Sequence, residues 1–260
     1  MDLTGKTAFI TGASGGIGGG LAEAFAEAGA NLVLTDIKSA GAESLAEKFG
    51  DGALALEHDV ASAASWAQVR EAAVDRFGQV DVLCNNAGIS IHWQPLVDVS
   101  AEEFARIVGI NLIGVHHGIR AFGPDMIARR SGHIVNTSSV NGLLSMGTMG
   151  PYSATKFAVT ALSIALREEL APYGVGVSVV YPGPTASGML SQTMEWHQAQ
   201  GRTLDIRAME PVWLGRAVVS AVKEDRLHVI THPGSKPHYQ ASLDEILNAF
   251  KEPAQPDYVG

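Results

Sequence analysis

An apolar run that passes directly into a glycine-rich turn and then into a helical pattern constrains the fold of this chain most strongly. Residues 6–11, KTAFIT, are typical of a buried strand, and TGASGGIG follows at 11–18. After Ile17, apolar residues recur at helical spacing until Gly29. Glycines at 12, 16 and 18 permit a tight turn and let a pyrophosphate approach bare backbone. The pattern therefore predicts a phosphate-binding turn between a strand and a helix.

Two features of this turn are not explained by phosphate binding. The spacing is T-G-x-x-x-G-x-G, which differs from the commoner G-x-G-x-x-G, so a flexible glycine loop is the alternative interpretation. Gly19 and Gly20 continue the run into the helix, where glycine costs up to about 1 kcal/mol relative to alanine. The sequence alone gives no function for these two glycines.

Apolar runs alternate with helical patterns along the rest of the chain. The predicted strands cover 31–36, 53–58, 80–85, 133–136, 176–181 and 227–231, and the longer helices cover 63–77, 101–121, 152–171 and 211–223. This alternation predicts an α/β fold with a doubly wound parallel sheet of about seven strands and helices on both faces. A chain of 260 residues with 46% hydrophobic content fits a single domain over 1–260. The tail from about residue 232 is predicted to be irregular, apart from a short helix near 242–250.

The charge balance excludes several classes of partner. The net charge is −9 and no basic cluster is present, which argues against nucleic acid and against an anionic membrane surface. The amino-terminal segment lacks the pattern of a signal peptide, so a cytoplasmic location is predicted. Cys84 lies within an apolar run and is predicted to be a buried structural thiol. No metal site is predicted, because the one H-x-x-x-H pair, His228 and His232, would stand about 13 Å apart on a strand.

The segment from Ser139 to Lys156 contains a candidate acid/base group. Tyr152 and Lys156 are four residues apart, so they share one face of the predicted helix. An ammonium beside a phenol favours the phenolate, and a serine hydroxyl can donate to the oxygen of a carbonyl or alcohol. The sequence therefore predicts that Lys156 lowers the pKa of Tyr152. Taken alone, however, Y-x-x-x-K is a weak signal, and an exposed surface pair is the favoured interpretation of the isolated motif.

These motifs occur together and in order, and the chain resembles the short-chain dehydrogenase/reductase family over residues 6 to about 231. The matching segments are TGASGGIG at 11–18, Asp36, Asp59-Val60, NNAG at 85–88, Asn111 in INLIG, Ser138-Ser139, YSATK at 152–156, and Pro182-Gly183. The resemblance implies a Rossmann-like sheet, a nicotinamide cofactor and a catalytic set of Asn111, Ser139, Tyr152 and Lys156. It further implies that Asn111 holds a water at a distortion in its helix.

The resemblance also implies which residues contact the cofactor. They are Gly12, Ser14, Gly15, Gly16, Ile17, Gly18, Asp36, Ile37, Asp59, Val60, Asn86, Ala87, Gly88, Tyr152, Lys156, Pro182, Gly183, Thr185 and Ser187. Ser187 stands where the family often has threonine. Asp36 favours NAD over NADP, because its carboxylate accepts from ribose hydroxyls and repels a 2′-phosphate, although Lys38 lies close by. The alternative is that Asp36 only caps the next helix.

The loops that follow the strands indicate the kind of substrate. They carry a predicted pocket lined by Trp93, Met146, Met149, Met189, Met194 and Trp196. These side chains favour a hydrophobic, bulky secondary alcohol or ketone, whereas Arg202 and Arg207 leave an acidic substrate open. The segment 184–210 is predicted to act as a lid. The alternatives are NADPH-dependent reduction of a 3-oxoacyl thioester and a dinucleotide-binding sensor without activity.

The helices that contain Asn111 and Tyr152 are expected to form an interface between copies of the chain, giving a homotetramer or a dimer. A stripe of small residues lies on the second helix and would permit close approach: Ala154, Ala158, Ala161 and Ala165. The alternative is that this stripe packs on the chain's own sheet.

Overall fold

A parallel sheet organises the computed structural model, which describes residues 1–91 and 93–250. Within these residues the seven strands stand in the order β3-β2-β1-β4-β5-β6-β7. Their bounds are β1 Thr7–Thr11, β2 Asn31–Asp36, β3 Ala53–Glu57, β4 Val82–Asn85, β5 Gly132–Thr137, β6 Val175–Tyr181 and β7 His228–Ile230. The order reverses between β1 and β4, which leaves a crevice at their carboxyl ends. The predicted doubly wound fold is confirmed.

Helices cover both faces of this sheet. They are α1 Gly16–Glu27, α2 Ser39–Ala46, α3 Ala63–Phe77, α4 Ala101–Val108, α5 Gly114–Ala128, α6 Gly150–Leu170, α7 Gly188–Ala199, α8 Pro211–Glu224 and α9 Lys236–Ala249. Alternate residues of β1 point to different faces, so Ala8 and Ile10 join the core under α1 and α8. Phe9 points the other way and joins the core under α3 and α5. None of the helices among the described residues is both long and apolar enough to cross a membrane.

Gly20 is required where α1 packs against α8. A Cβ atom added at Gly20 would overlap the backbone of Pro211, and one added at Gly215 would overlap the carbonyl oxygen of Gly20. The two helices therefore meet backbone to backbone. Gly19 differs, because a Cβ atom there would lie 3.9 Å from its nearest neighbour, the carbonyl oxygen of Ala13. Gly20 thus has a packing function that the sequence alone did not reveal.

The structure corrects the prediction for the tail. Helix α9 begins at Lys236, where an irregular segment was expected. Pro237 lies in the first turn of α9, where a missing N–H breaks no helical hydrogen bond, so the proline opens the helix instead of preventing it. The predicted tail beyond residue 250 lies outside the described residues. The predicted lid is also partly regular, since α7 occupies 188–199.

A π-helical turn over Gly109–Ile113 separates α4 from α5, where a single helix was predicted. Asn111 lies in this turn and is fully buried. Its amide forms hydrogen bonds to a neighbouring loop, described below, which gives a polar side chain in an apolar helix the partners it requires. The distortion expected at Asn111 is present.

We expect Gly20→Ala to lower the free energy of unfolding by about 1–3 kcal/mol, because the added methyl group overlaps backbone that cannot rotate away. Gly19→Ala is the matched control one residue earlier in the same helix. It should be neutral or stabilising by up to about 1 kcal/mol, because alanine has the higher helix propensity. Urea unfolding of the three proteins measures both effects. Equal stability of Gly20→Ala and the wild type would show that α1 and α8 do not meet as described.

Candidate functional site

The glycine turn between β1 and α1 is shaped by the chain around it. Gly12 has a φ of +66°, and a Cβ atom on it would lie 2.9 Å from Cα of Ala87. A Cβ atom on Gly16 would overlap the carbonyl oxygen of Ala186, and one on Gly18 would overlap that of Gly12. The turn is therefore packed between the loops that follow β4 and β6. This packing argues against the alternative of a flexible glycine loop.

The hydroxyl of Thr11 joins the two strands that flank the crevice. It accepts hydrogen bonds from the backbone N–H groups of Asn86 and Ala87, both at 2.9 Å. It also donates to the carbonyl of Cys84 at 3.3 Å. The side-chain amide of Asn86 donates in turn to the carbonyl of Thr11 at 2.9 Å. The NNAG segment is thus bound to the start of the glycine turn, a function of Thr11 that the sequence analysis missed.

Asp36 lies at the end of β2 and contacts the glycine turn. Its Oδ2 atom accepts from the backbone N–H of Ser14 at 3.1 Å and from the Ser14 hydroxyl. None of the side chains that the structure describes, Asp36 included, caps α2, so the alternative that Asp36 caps this helix is wrong. The carboxylate is partly exposed beside the turn, where a ribose would follow a bound pyrophosphate.

The other predicted cofactor contacts lie at the same edge of the sheet. Ile37 follows β2 and is 59% exposed. Asp59 and Val60 follow β3: the Asp59 carboxylate accepts from the N–H of Ala61 at 2.9 Å, and the Val60 carbonyl accepts from the Trp66 ring at 2.9 Å. The remaining contacts follow β4 or β6, namely Gly88, Pro182, Gly183, Thr185 and Ser187. Strand topology therefore brings the predicted set to one crevice.

Lys156 is buried next to the ring of Tyr152. Its side chain is 4% exposed, and Nζ donates to the carbonyl of Thr137 at 2.8 Å. Nζ lies 5.6 Å from the centre of the Tyr152 ring. Burial lowers the pKa of the Lys156 ammonium to about 8, because the charged form loses its hydration.

The structure corrects the predicted direction of the Tyr152 pKa. Tyr152 is 8% exposed, and burial raises the pKa of its phenol above the ordinary value, while the Ser139 side chain acts in the opposite direction. Desolvation of the phenol is the larger of these two effects, and the Lys156 ammonium, 5.6 Å from the ring centre, donates to the carbonyl of Thr137. Burial therefore favours the neutral form of the Tyr152 phenol.

Ser139 lies beside Tyr152 at the start of the loop that follows β5. Its hydroxyl accepts from the N–H of Asn141 at 3.1 Å and donates to the carbonyl of Pro182 at 3.4 Å. The second distance is long for a hydroxyl hydrogen bond, so the donated proton is weakly held. This serine can therefore reorient toward a reacting oxygen without losing a strong interaction.

Asn111 connects the π turn to the crevice. Its Oδ1 accepts from the N–H of Ile89 at 2.8 Å, and its Nδ2 donates to the Ile89 carbonyl at 2.9 Å and to the Thr155 hydroxyl at 3.2 Å. A Cβ atom on Gly88 would lie 3.3 Å from Oδ1 of Asn111 and 3.4 Å from Nζ of Lys156. The asparagine amide and the lysine ammonium thus flank Gly88, and all four predicted catalytic residues lie around the same end of the crevice.

The predicted substrate pocket is only partly assembled. Trp93 and Trp196 stack with ring centres 6.3 Å apart, and Met149 accepts from the side-chain amide of Asn141 at 3.1 Å. Met146 and Met194, in contrast, are 48% and 40% exposed. Met189, in the first turn of α7, is partly buried.

His197 is a further member of the aromatic cluster that the sequence analysis missed. Its ring packs edge-on against Trp93 at 4.8 Å and against Trp196 at 4.9 Å. Both ring nitrogens are buried and have no hydrogen-bond partner among the described residues, and the same holds for Nε1 of Trp93. Buried nitrogens of this kind weaken the contact between the rings, because they would form hydrogen bonds to water if the contact opened. The cluster joins α7 to the loop that follows β4.

Comparisons with known proteins agree with this geometry. The family model described as "short chain dehydrogenase" matches residues 6–198. A C alpha-dehydrogenase from Sphingobium sp. is 31% identical over 97% of this chain and 90% of its own length. A 3-alpha-(or 20-beta)-hydroxysteroid dehydrogenase from Mycobacterium tuberculosis is 34% identical over 86% of this chain and 84% of its own length. A short chain dehydrogenase/reductase from Burkholderia phymatum, solved in complex with NAD, superposes with a TM-score of 0.88 at 30% identity and covers 100% of both chains.

Lys156→Met tests the buried ammonium. The folded-state pKa lies near 8 and the unfolded value near 10.5, so between them the unfolded chain binds the additional proton and the wild type gains stability as pH rises. Below this window the wild type bears the full burial cost, which the methionine variant lacks. We therefore expect the stability of Lys156→Met relative to wild type to fall by about 2–3 kcal/mol from about pH 7 to about pH 10.

Urea unfolding at the two pH values measures this change. Lys48→Met, at an exposed lysine, is the control and should show no such trend. A stability difference between Lys156→Met and wild type that stays constant with pH would contradict the lowered pKa.

Proposed function

The chain belongs to the short-chain dehydrogenase/reductase family, and on this basis we propose that it is an NAD(H)-dependent oxidoreductase acting on a hydrophobic secondary alcohol or ketone. The observation that carries the proposal is the buried group of Tyr152, Lys156, Ser139 and Asn111 beside the glycine turn. Members of this family bind a nicotinamide cofactor and act on small molecules.

The residues of the crevice fit such a cofactor. Within residues 1–91 and 93–250 no side chain caps the amino terminus of α1, so its first N–H groups are available to a pyrophosphate bound there. Asp36 stands beside it for the ribose, and the loop of Pro182 and Gly183 reaches Ser139 at the other end. When bound, the nicotinamide ring gives or accepts the hydride, and its oxidised form adds a positive charge that favours the phenolate.

Tyr152 is the proposed acid and base. In reduction its hydroxyl gives a proton to the carbonyl oxygen, which suits the neutral phenol that burial favours. In oxidation the ionised phenol removes the alcohol proton. Ser139 orients the substrate oxygen through its weakly held hydroxyl. Lys156 supplies positive charge next to the phenol. Asn111, in the π turn, holds the water through which the tyrosine regains a proton.

A preference for NAD follows from Asp36. One of its oxygens is already bonded to Ser14, which fixes the carboxylate beside the turn. A fixed negative charge at this place repels a 2′-phosphate and can still accept from ribose hydroxyls. Gly15 adds no positive charge to offset it.

The substrate class follows from the loops around Tyr152. Ser187, the N-cap residue of α7, lies next to the glycine turn, and the last turns of α7 carry Trp196 and His197 of the aromatic cluster, so we place α7 across the crevice. We propose that 184–210 is a lid whose inner surface is apolar, and that the aromatic cluster is its latch. The ring nitrogens of this cluster that lack a partner among the described residues would form hydrogen bonds to water in the open state, which favours reopening. An apolar lid of this kind favours a bulky aromatic or alicyclic substrate over a sugar.

The central experiment follows NADH formation with a graded set of secondary alcohols, and the reverse reaction with matched ketones and a 3-oxoacyl thioester. We expect the catalytic efficiency to rise with apolar bulk and to be higher with NAD than with NADP. Tyr152→Phe should lose activity by a factor of about a hundred or more while it still binds NADH, because it lacks the proton. Preference for polyols or for the thioester would contradict the substrate class, and equal efficiency with both cofactors would contradict the cofactor preference. Near-normal turnover by folded Tyr152→Phe would contradict the mechanism.

We also propose that the chain forms a homotetramer or a dimer through α4, α5 and α6. Ala154, Ala161 and Ala165 are exposed and Ala158 is half-buried, which argues against the alternative that this stripe packs on the chain's own sheet. Large apolar side chains on the same helices are exposed as well: Phe104, Ile113, Phe157 and Ile164. An exposed apolar surface of this kind is typical of an interface. Light scattering at micromolar concentration should give the mass of two or four chains, and a monomer would contradict the proposal.

A further inference from the structure

The segment that follows β7 returns to the crevice through the side chain of His232. The backbone N–H of Gly183 donates to Nδ1 of this ring at 3.0 Å, and Nε2 lies 3.0 Å from the carbonyl oxygen of Pro184. A backbone N–H can only donate and a carbonyl can only accept. The ring is therefore the neutral tautomer with its proton on Nε2, and it bridges two successive residues of the loop that follows β6.

The ring also determines which residue can occupy position 183. A Cβ atom on Gly183 would lie 2.6 Å from Cγ of His232, so the imidazole fills the space that a side chain would need. Around the ring, the Thr231 hydroxyl lies 2.9 Å from Nδ1, and the Ser235 hydroxyl donates to the His232 carbonyl at 2.8 Å. Contacts with Thr231 and Ser235 thus fix His232 within its own segment, and the ring in turn binds the loop.

The loop that His232 binds contacts the proposed catalytic serine, Ser139, through Pro182. The carbonyl of Pro182 accepts from the N–H of Val140 at 3.0 Å and from the Ser139 hydroxyl at 3.4 Å. The carbonyl of Pro184, which accepts from His232, also accepts from the N–H of Met209 at 3.0 Å. Pro184 and Met209 stand at the two ends of the proposed lid. The imidazole therefore bonds the loop next to Ser139 and the start of the lid. The Pro184 carbonyl that it bonds also accepts from the end of the lid at Met209.

We propose that His232 is a positioning residue that fixes the backbone of 182–184 against Ser139 and sets the hinge of the lid. The effect on turnover rests on the proposed function, in which this loop receives the nicotinamide end of the cofactor. The effect on the loop itself does not. The segment beyond β7 thereby has a function at the active site, although it contributes no side chain to the reacting atoms.

Hydrogen exchange tests the contact on the protein without any ligand. Pro182 and Pro184 have no N–H, so the Gly183 amide is the only exchanging group of residues 182–184. We expect His232→Ala to accelerate exchange of this amide by about tenfold or more, because its acceptor is lost. His228→Ala is the matched control: this histidine lies four residues earlier and bonds the Tyr181 hydroxyl at 3.0 Å instead of the loop. Unchanged protection of Gly183 in His232→Ala would overturn the proposal.

Binding and kinetics test the consequence for the site. We expect His232→Ala to bind NADH more weakly, as measured by tryptophan fluorescence, and to lower kcat by about tenfold to a hundredfold, because small displacements of a reacting group are costly. The deuterium isotope effect on hydride transfer should increase. His232→Asn, whose Oδ1 can replace Nδ1 as the acceptor, should recover part of both losses, and it serves in place of the alanine variant if that variant does not fold.

These outcomes separate the proposal from a general loss of stability and from the proposed function. A variant that melts at a lower temperature, but keeps kcat, the isotope effect and NADH affinity when fully folded, would show that His232 is only structural. Equal losses in His228→Ala would lead to the same conclusion. If the wild type turned over none of the alcohols or ketones while Gly183 exchange still depended on His232, the proposed function would fail and the positioning contact would stand.

Discussion

The change of direction in the strand order is the constraint on which the functional part of this structure depends. β1 and β4 pair directly as far as Ile10 and Cys84, and the loops that continue from their carboxyl ends are joined by side-chain hydrogen bonds. The Thr11 hydroxyl accepts from two backbone N–H groups of NNAG, and the Asn86 amide returns a hydrogen bond to β1. The residues assigned to the cofactor and to the reaction lie in the loops around this junction.

Around the junction, buried polar groups are organised by hydrogen bonds to backbone more than by ion pairs. The Lys156 ammonium is bonded to a carbonyl, and Asn111 is bonded to both backbone groups of Ile89. No carboxylate contributes to the lowered pKa of Lys156, which reflects burial alone. A buried ammonium without a counter-ion is costly in a stable core, and it is useful beside a phenol that has to lose and regain a proton.

The sequence predicted the strands and the crevice well, because these depend on local patterns. Apolar runs of the right length, such as NLVLTD, are visible without any knowledge of their neighbours. The function of Gly20 was not predictable, because its contact, Pro211, lies far along the chain. The pKa of Tyr152 was predicted in the wrong direction because spacing reveals the nearby lysine and not the depth of burial. His197 and His232 were missed because each acts through residues distant in sequence.

The close approach of α1 and α8 has a consequence for how the molecule could be adjusted. Helix α8 starts at Pro211, two residues after Met209, whose N–H is bonded to Pro184. Because the backbones touch at Gly20 and Gly215, the main chain sets the separation of the two helices. No substitution at either position can keep the helices at this separation. Any atom added at either glycine would push the two helices apart, and Pro211 would transmit this displacement to the end of 184–210. The opening of the crevice could thus be retuned from a site that touches neither cofactor nor substrate.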